Sequence, residues 1–192
     1  MLRPCMLTLC AALLAGPATA KDSALAFVDS VPADAATRVV DVRARDVCEK
    51  ASLAGARCLP AAELFDGAGA PVDFHTLRWL LGTIGLTGEE RVLVAADKTE
   101  DAAAVGALLV LAGQREVAVL DRPVALAPGA SGGNGRNFTR ETVFTAPMRD
   151  RLLAAATDQP SEIASGPPIE RLRTFARRYA DATQPVRLRL SP

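Results

Sequence analysis

RVLVAADKTEDAAAVGALLVLAGQREVAVLD, residues 91–121, is the stretch whose reading decides the fold. Arg91 to Ala95 is an apolar run of strand length, Ala96 to Asp101 reads as a polar loop, and Ala102 onward has the length of a helix that Gly113 closes. Val117 to Leu120 is a second strand without a polar face. Strands apolar on both sides need covering on both sides, which is the situation of a parallel sheet between helices. Working outward, Arg38-Val39-Val40-Asp41-Val42 repeats the pattern and leaves Asp41 and Arg43 at its C-terminal end. Leu25 to Val28 reads as an edge strand. Phe74 to Leu86 is expected to be a helix, with Leu77, Leu80, Leu81 and Ile84 at helical spacing and Gly85 near its stop. The fold class is therefore α/β, a central mostly parallel sheet flanked by helices.

Three blocks in this order resemble the rhodanese-like sulfurtransferase domains. The first is Asp41-Val42-Arg43 followed by Gly55-Ala56 and Pro60; the second is Val92 to Gly113; the third is Val117 to Asp121. Arg122-Pro123 stands where that family usually has Gly-Gly. The resemblance covers roughly residues 37 to 124, and it implies that Asp41 and Arg43 tie neighbouring loops together, with Gly55 and Pro60 as structural positions. It also implies that the residue opening the loop after the strand at Arg91 to Ala95 is the nucleophile, a cysteine. Here that residue is Ala96.

Sulfur transfer through a persulfide needs a low-pKa thiolate surrounded by N–H groups and cations. Alanine supplies no sulfur. The rest of the loop, Asp97-Lys98-Thr99-Glu100-Asp101, carries three carboxylates against one amine, which disfavours both a thiolate and an anionic sulfur donor. A structural role for Asp97, Glu100 and Asp101 is to cap the helix that follows, since acids complement the free N–H groups of a first turn. No catalytic residue is expected in this degenerate loop.

Met1 to Ala20 reads as a secretory leader: one positive charge at Arg3, an apolar run from Cys5 to Gly16, and a small-residue cleavage site ending at Ala20. Cleavage after Ala20 leaves 192 − 20 = 172 residues and a formal charge of 21 − 22 = −1, without the basic excess that nucleic acid demands. No later segment is apolar for long enough to span a bilayer. The Ala-, Arg- and Pro-rich composition points to a bacterial periplasm. In that oxidising compartment Cys48 and Cys58, the two cysteines after the leader, are expected to join, and their positions in the resembled family lie close together. A redox-active or sulfur-carrying pair is the alternative. His75 is the sole histidine and has no second ligand at metal spacing, so neither a metal nor another cofactor is expected. Trp79 is read as packed against a helix face.

The resemblance places a rhodanese-like domain at residues 21–124. Residues 125–146 hold Pro128, Gly129, Gly132, Gly133 and Gly135, and read as a linker or an excursion over the domain face, too polar and Gly-rich to continue the sheet. Residues 147–192 form a C-terminal helical extension and tail: helices at 147–156 and 168–182, then Val186-Arg187-Leu188-Arg189-Leu190 as an edge strand. Ile169, Leu172, Phe175 and Tyr179 form the apolar side of the second helix; Arg171, Arg173, Arg177 and Arg178 are expected on its solvated faces.

These features favour an exported domain that has lost sulfur transfer and serves as a binding or accessory module for a periplasmic protein or small ligand. Two other readings stand beside it. One is a thiol-dependent sulfurtransferase or redox protein using Cys48 or Cys58, and the other is a structural subunit of a periplasmic complex.

Overall fold

The computed structural model describes residues 24–154, 163, 165–183 and 186–190. The expected leader, Met1 to Ala20, lies outside them. Six strands form one sheet: β1 (Leu25–Val28), β2 (Arg38–Asp41), β3 (Arg57–Cys58), β4 (Arg91–Ala95), β5 (Glu116–Leu120) and β6 (Asn134–Gly135). Their order is β1-β5-β4-β2-β3-β6, and every ladder is parallel. Four α-helices accompany them: α1 (Arg45–Lys50), α2 (Phe74–Thr83), α3 (Thr99–Ala112) and α4 (Pro168–Asp181).

Side-chain alternation divides the sheet into two unequal faces. Val40, Val92, Val94, Val117 and Val119 point into a large core shared with α2, α3 and α4. Val39, Leu93, Ala95, Ala118 and Leu120 point the other way, into a smaller cluster closed by Ala56, Leu53 and Val124. The helix α3 is buried from Ala102 to Ala112, because sheet and α4 enclose it and leave no face for water. α4 is amphipathic, and its Leu172 and Phe175 are fully buried. Each contributes roughly 1.5–3 kcal/mol by leaving water. The C-terminal helix is thus part of the main core.

Several boundaries differ from expectation. α3 begins at Thr99, so three residues expected in the loop are helical and only Ala96 to Lys98 remain outside. α2 stops at Thr83 rather than Leu86, as Ile84 leaves helical geometry and Gly85 turns at φ 77°. Its N-terminus is fixed by Asp73, whose carboxylate accepts from the N–H groups of His75 and Thr76.

The segment 125–146 contributes β6 to the sheet, despite its polar and Gly-rich composition. A two-residue parallel ladder to β3 needs backbone rather than apolar side chains. Phe144 and Ala146 of the same segment are buried.

No helix forms over 147–154; a single 3-10 turn at Asp150–Leu152 stands there, and residues 155 and 156 are outside the described set. Tertiary partners take this backbone instead. Arg149 N–H donates to the Leu111 carbonyl, its guanidinium donates to the carbonyls of Val110 and Gln114 at the end of α3, and Leu153 bridges Leu188. Among the described residues the tail's strand pairing is the isolated bridge at Leu188, and the tail is not one of the six strands of the sheet. Arg171, expected at the solvated side of α4, is buried with its guanidinium on the Arg189 carbonyl. Trp79 packs partly buried against the core with Arg136 over its ring, and His75 is exposed.

Candidate functional site

The C-terminal ends of β2, β4 and β5 gather the residues singled out from the sequence. Register puts Asp41 level with Ala95 on one side and Cys58 on the other. Asp41 is fully buried and its carboxylate is satisfied four ways. It accepts from the Arg43 backbone N–H at 3.0 Å, from Arg43 Nε at 3.0 and 3.1 Å and Nη2 at 2.6 Å, and from Ser52 Oγ at 2.6 Å. Arg43 also donates to the Ala51 carbonyl at 2.8 Å. The guanidinium is held above its ordinary pKa, mainly by its hydrogen bonds to Asp41. Asp41 and Arg43 thereby bind the end of β2 to the turn after α1. Gly55 makes that turn at φ 70°, and Pro60, buried, begins a 3-10 turn at Ala61–Glu63.

Ala96 follows β4 directly. Its methyl group belongs to the large core and is only 3% exposed, while its carbonyl accepts from the Val124 N–H at 3.1 Å. The position faces packed side chains.

The acids of the loop have partners that sequence spacing did not reveal. Asp97 lies 3.6 Å from Arg43. Asp101 receives Arg173 of α4 at 2.6 Å, and Asp121, just past β5, receives both terminal nitrogens of Arg177 at 2.8 and 2.6 Å. Arg177 stacks on Phe27 of β1 at 3.8 Å from the ring centre. The hydrogen bond from Arg177 holds the Asp121 carboxyl below its ordinary pKa. The mouth expected to be net negative is therefore laced by the protein's own arginines. Glu100 and Asp101 occupy the first turn of α3, where they favour the helix dipole, but no side chain caps that helix by hydrogen bond.

Arg173 and Arg177 stand four residues apart, so one side of α4 presents both; that much was visible in the sequence. Their partners lie 72 and 56 residues away in the chain, which no local pattern encodes. Ser52 carried no sequence signal at all.

Cys48 of α1 and Cys58 of β3 are joined as a disulfide, with Cα atoms 5.8 Å apart, and both residues are buried. Beside it, a groove of about 460 Å³ opens between the turn Ser52 to Gly55 and two pieces of the following loop, Ala125 to Ala127 and Ala130 to Gly132. Its lining is of small residues and two leucines, Leu53 and Leu126, without a charged side chain. Among the described residues no group of three or more His, Cys, Asp or Glu could hold a metal ion, and no helix is long and apolar enough to cross a membrane.

No protein-family model and no curated protein matches this sequence. Among solved structures, the chain is similar to YnjE, at 17% identity and a TM-score of 0.49 over 62% of this chain and 30% of that one. It is also similar to SseA from Escherichia coli, described as a 3-mercaptopyruvate sulfotransferase of "rhodanese" fold, at 15% identity and a TM-score of 0.48 over 65% of this chain and 56% of that one. A probable thiosulfate sulfurtransferase aligns at 25% identity and a TM-score of 0.41 over 65% of this chain and 53% of that one. The chain spans less than two thirds of the length of each.

Proposed function

We propose that this protein is an exported rhodanese-like module that does not transfer sulfur and acts in the periplasm as a binding or accessory unit for a protein or small ligand. The observation that carries the reading is Ala96. At the strand end where the resembled family needs its thiolate, a methyl group packs into the core. The other supports agree in direction. Both cysteines of the described chain are tied in a buried disulfide, so neither is a free nucleophile in the oxidised protein. Asp97, Asp101 and Asp121 pair with Arg43, Arg173 and Arg177, so these three arginines are already shared with carboxylates rather than free to draw in an anionic sulfur donor.

Sulfur loading tests this. Protein collected from the periplasm and incubated with thiosulfate should keep its intact mass. A gain of one sulfur atom that disappears when Cys48 and Cys58 are replaced by serine would overturn the reading and favour the thiol-dependent enzyme.

A further inference from the structure

Ser131-Gly132-Gly133-Asn134-Gly135 plays no part in the mouth, yet it lies directly over the disulfide. A Cβ on Gly133 would stand 2.8 Å from the sulfur of Cys48 and 2.8 Å from that of Cys58, closer than carbon tolerates. One on Gly132 would stand 1.8 Å from the Glu49 carbonyl oxygen. Only glycine lets the backbone approach this closely.

Hydrogen bonds then stitch this strap to both halves of the bridged unit. Gly133 N–H donates to the Cys48 carbonyl and Asn134 N–H to the Ala56 carbonyl, each at 2.8 Å. Ser52 N–H donates to the Ser131 carbonyl at 2.8 Å. The same strap makes β6 against β3, and its first residues form one wall of the groove beside Ser52 to Gly55.

We propose that the disulfide and the 131–135 strap form one redox-sensitive device, in which reduction by a dithiol displaces the strap and with it a wall of the groove. In the step, the bond between the Cys48 and Cys58 sulfurs breaks. Two electrons and two protons pass from the dithiol, leaving two thiols here and a cyclic disulfide on the reductant. Two unbonded sulfurs need more room than two bonded ones, and the backbone at Gly133 already leaves no space for a Cβ beside either. The Cys48 and Cys58 side chains are fully packed on their other sides, so the yielding element is the strap, which brings no apolar side chain of its own between Ser131 and Gly135. By the same geometry the strap must lift before a reductant reaches either sulfur. The device stands apart from the proposed function and holds whether or not the fold once served sulfur transfer.

Hydrogen exchange on the full exported protein tests it, oxidised against reduced with dithiothreitol, with alkylation confirming two thiols. Protection at Ser52, Gly133 and Asn134 should fall at least tenfold on reduction while β4, α3 and β5 keep theirs. Unchanged protection at the strap in protein shown to be reduced would overturn the proposal, as would loss of protection throughout the sheet. Gly133→Ala supplies a second readout with the disulfide intact: its reduction by dithiothreitol should be at least tenfold faster than in the parent protein, and an equal rate counts against the device.

Discussion

Ala96 carries more of the account than any other residue, and its surroundings predict how a thiol placed there would behave. Ala96→Cys puts sulfur among packed apolar groups, and burial disfavours the thiolate. Its alkylation should therefore titrate at or above the ordinary cysteine value of about 8.5. A midpoint below about 7.5 would mean that the loop still presents a thiolate cradle. Glu63 offers a test by pH. Burial works against its charge, yet hydrogen bonds from Arg45 and Arg136 win and hold its pKa below the usual carboxylate value. A depressed folded pKa stabilises above the unfolded pKa, near 4.5, and that stabilisation is lost as pH falls through the folded value. Glu63→Gln should cost about 1 kcal/mol at pH 7, a difference that narrows in melts below about pH 4. At this scale the sequence was partly legible. The Cys48–Cys58 pair and Gly113, which closes α3 at φ 109°, could be read from residue type and spacing. The hydrogen bond from Ser52 to Asp41 could not, because a serine in a turn has no pattern to betray it.

Among the elements, β2, β4, β5, α2 and α3 were readable because continuous apolar runs and helical spacing reflect burial directly. β6 was not, since Asn134 and Gly135 are held by backbone bonds to β3 and by a close approach that only glycine permits. The expected helix from 147 failed for a related reason. Its backbone donors and carbonyls serve the end of α3 and the bridge to Leu188, and tertiary contacts override a modest local propensity. α4 was found, though its arginines were assigned to solvent, whereas Arg173 and Arg177 fasten it to the mouth through Asp101 and Asp121. Replacing both arginines with alanine should lower stability by about 1 kcal/mol at low ionic strength, and the difference from the parent should shrink in 1 M salt. Denaturant midpoints at the two salt concentrations check this. A difference that does not respond to salt would mean that the arginines act through packing alone.

For the whole molecule, one parallel sheet organises everything described. Its larger face is covered by α2, α3 and α4, its smaller face is closed by Leu53, Ala56 and Val124, and at the mouth formed by the ends of its central strands Asp97, Asp101 and Asp121 pair with Arg43, Arg173 and Arg177. The central claim is that this mouth, with alanine at its focus, does no sulfur transfer. The most direct measurement is the steady-state formation of thiocyanate from thiosulfate and cyanide by the purified oxidised protein. The account predicts a rate equal to that of the solution without protein. A rate well above that background, abolished by Cys48→Ser or Cys58→Ser, would contradict it.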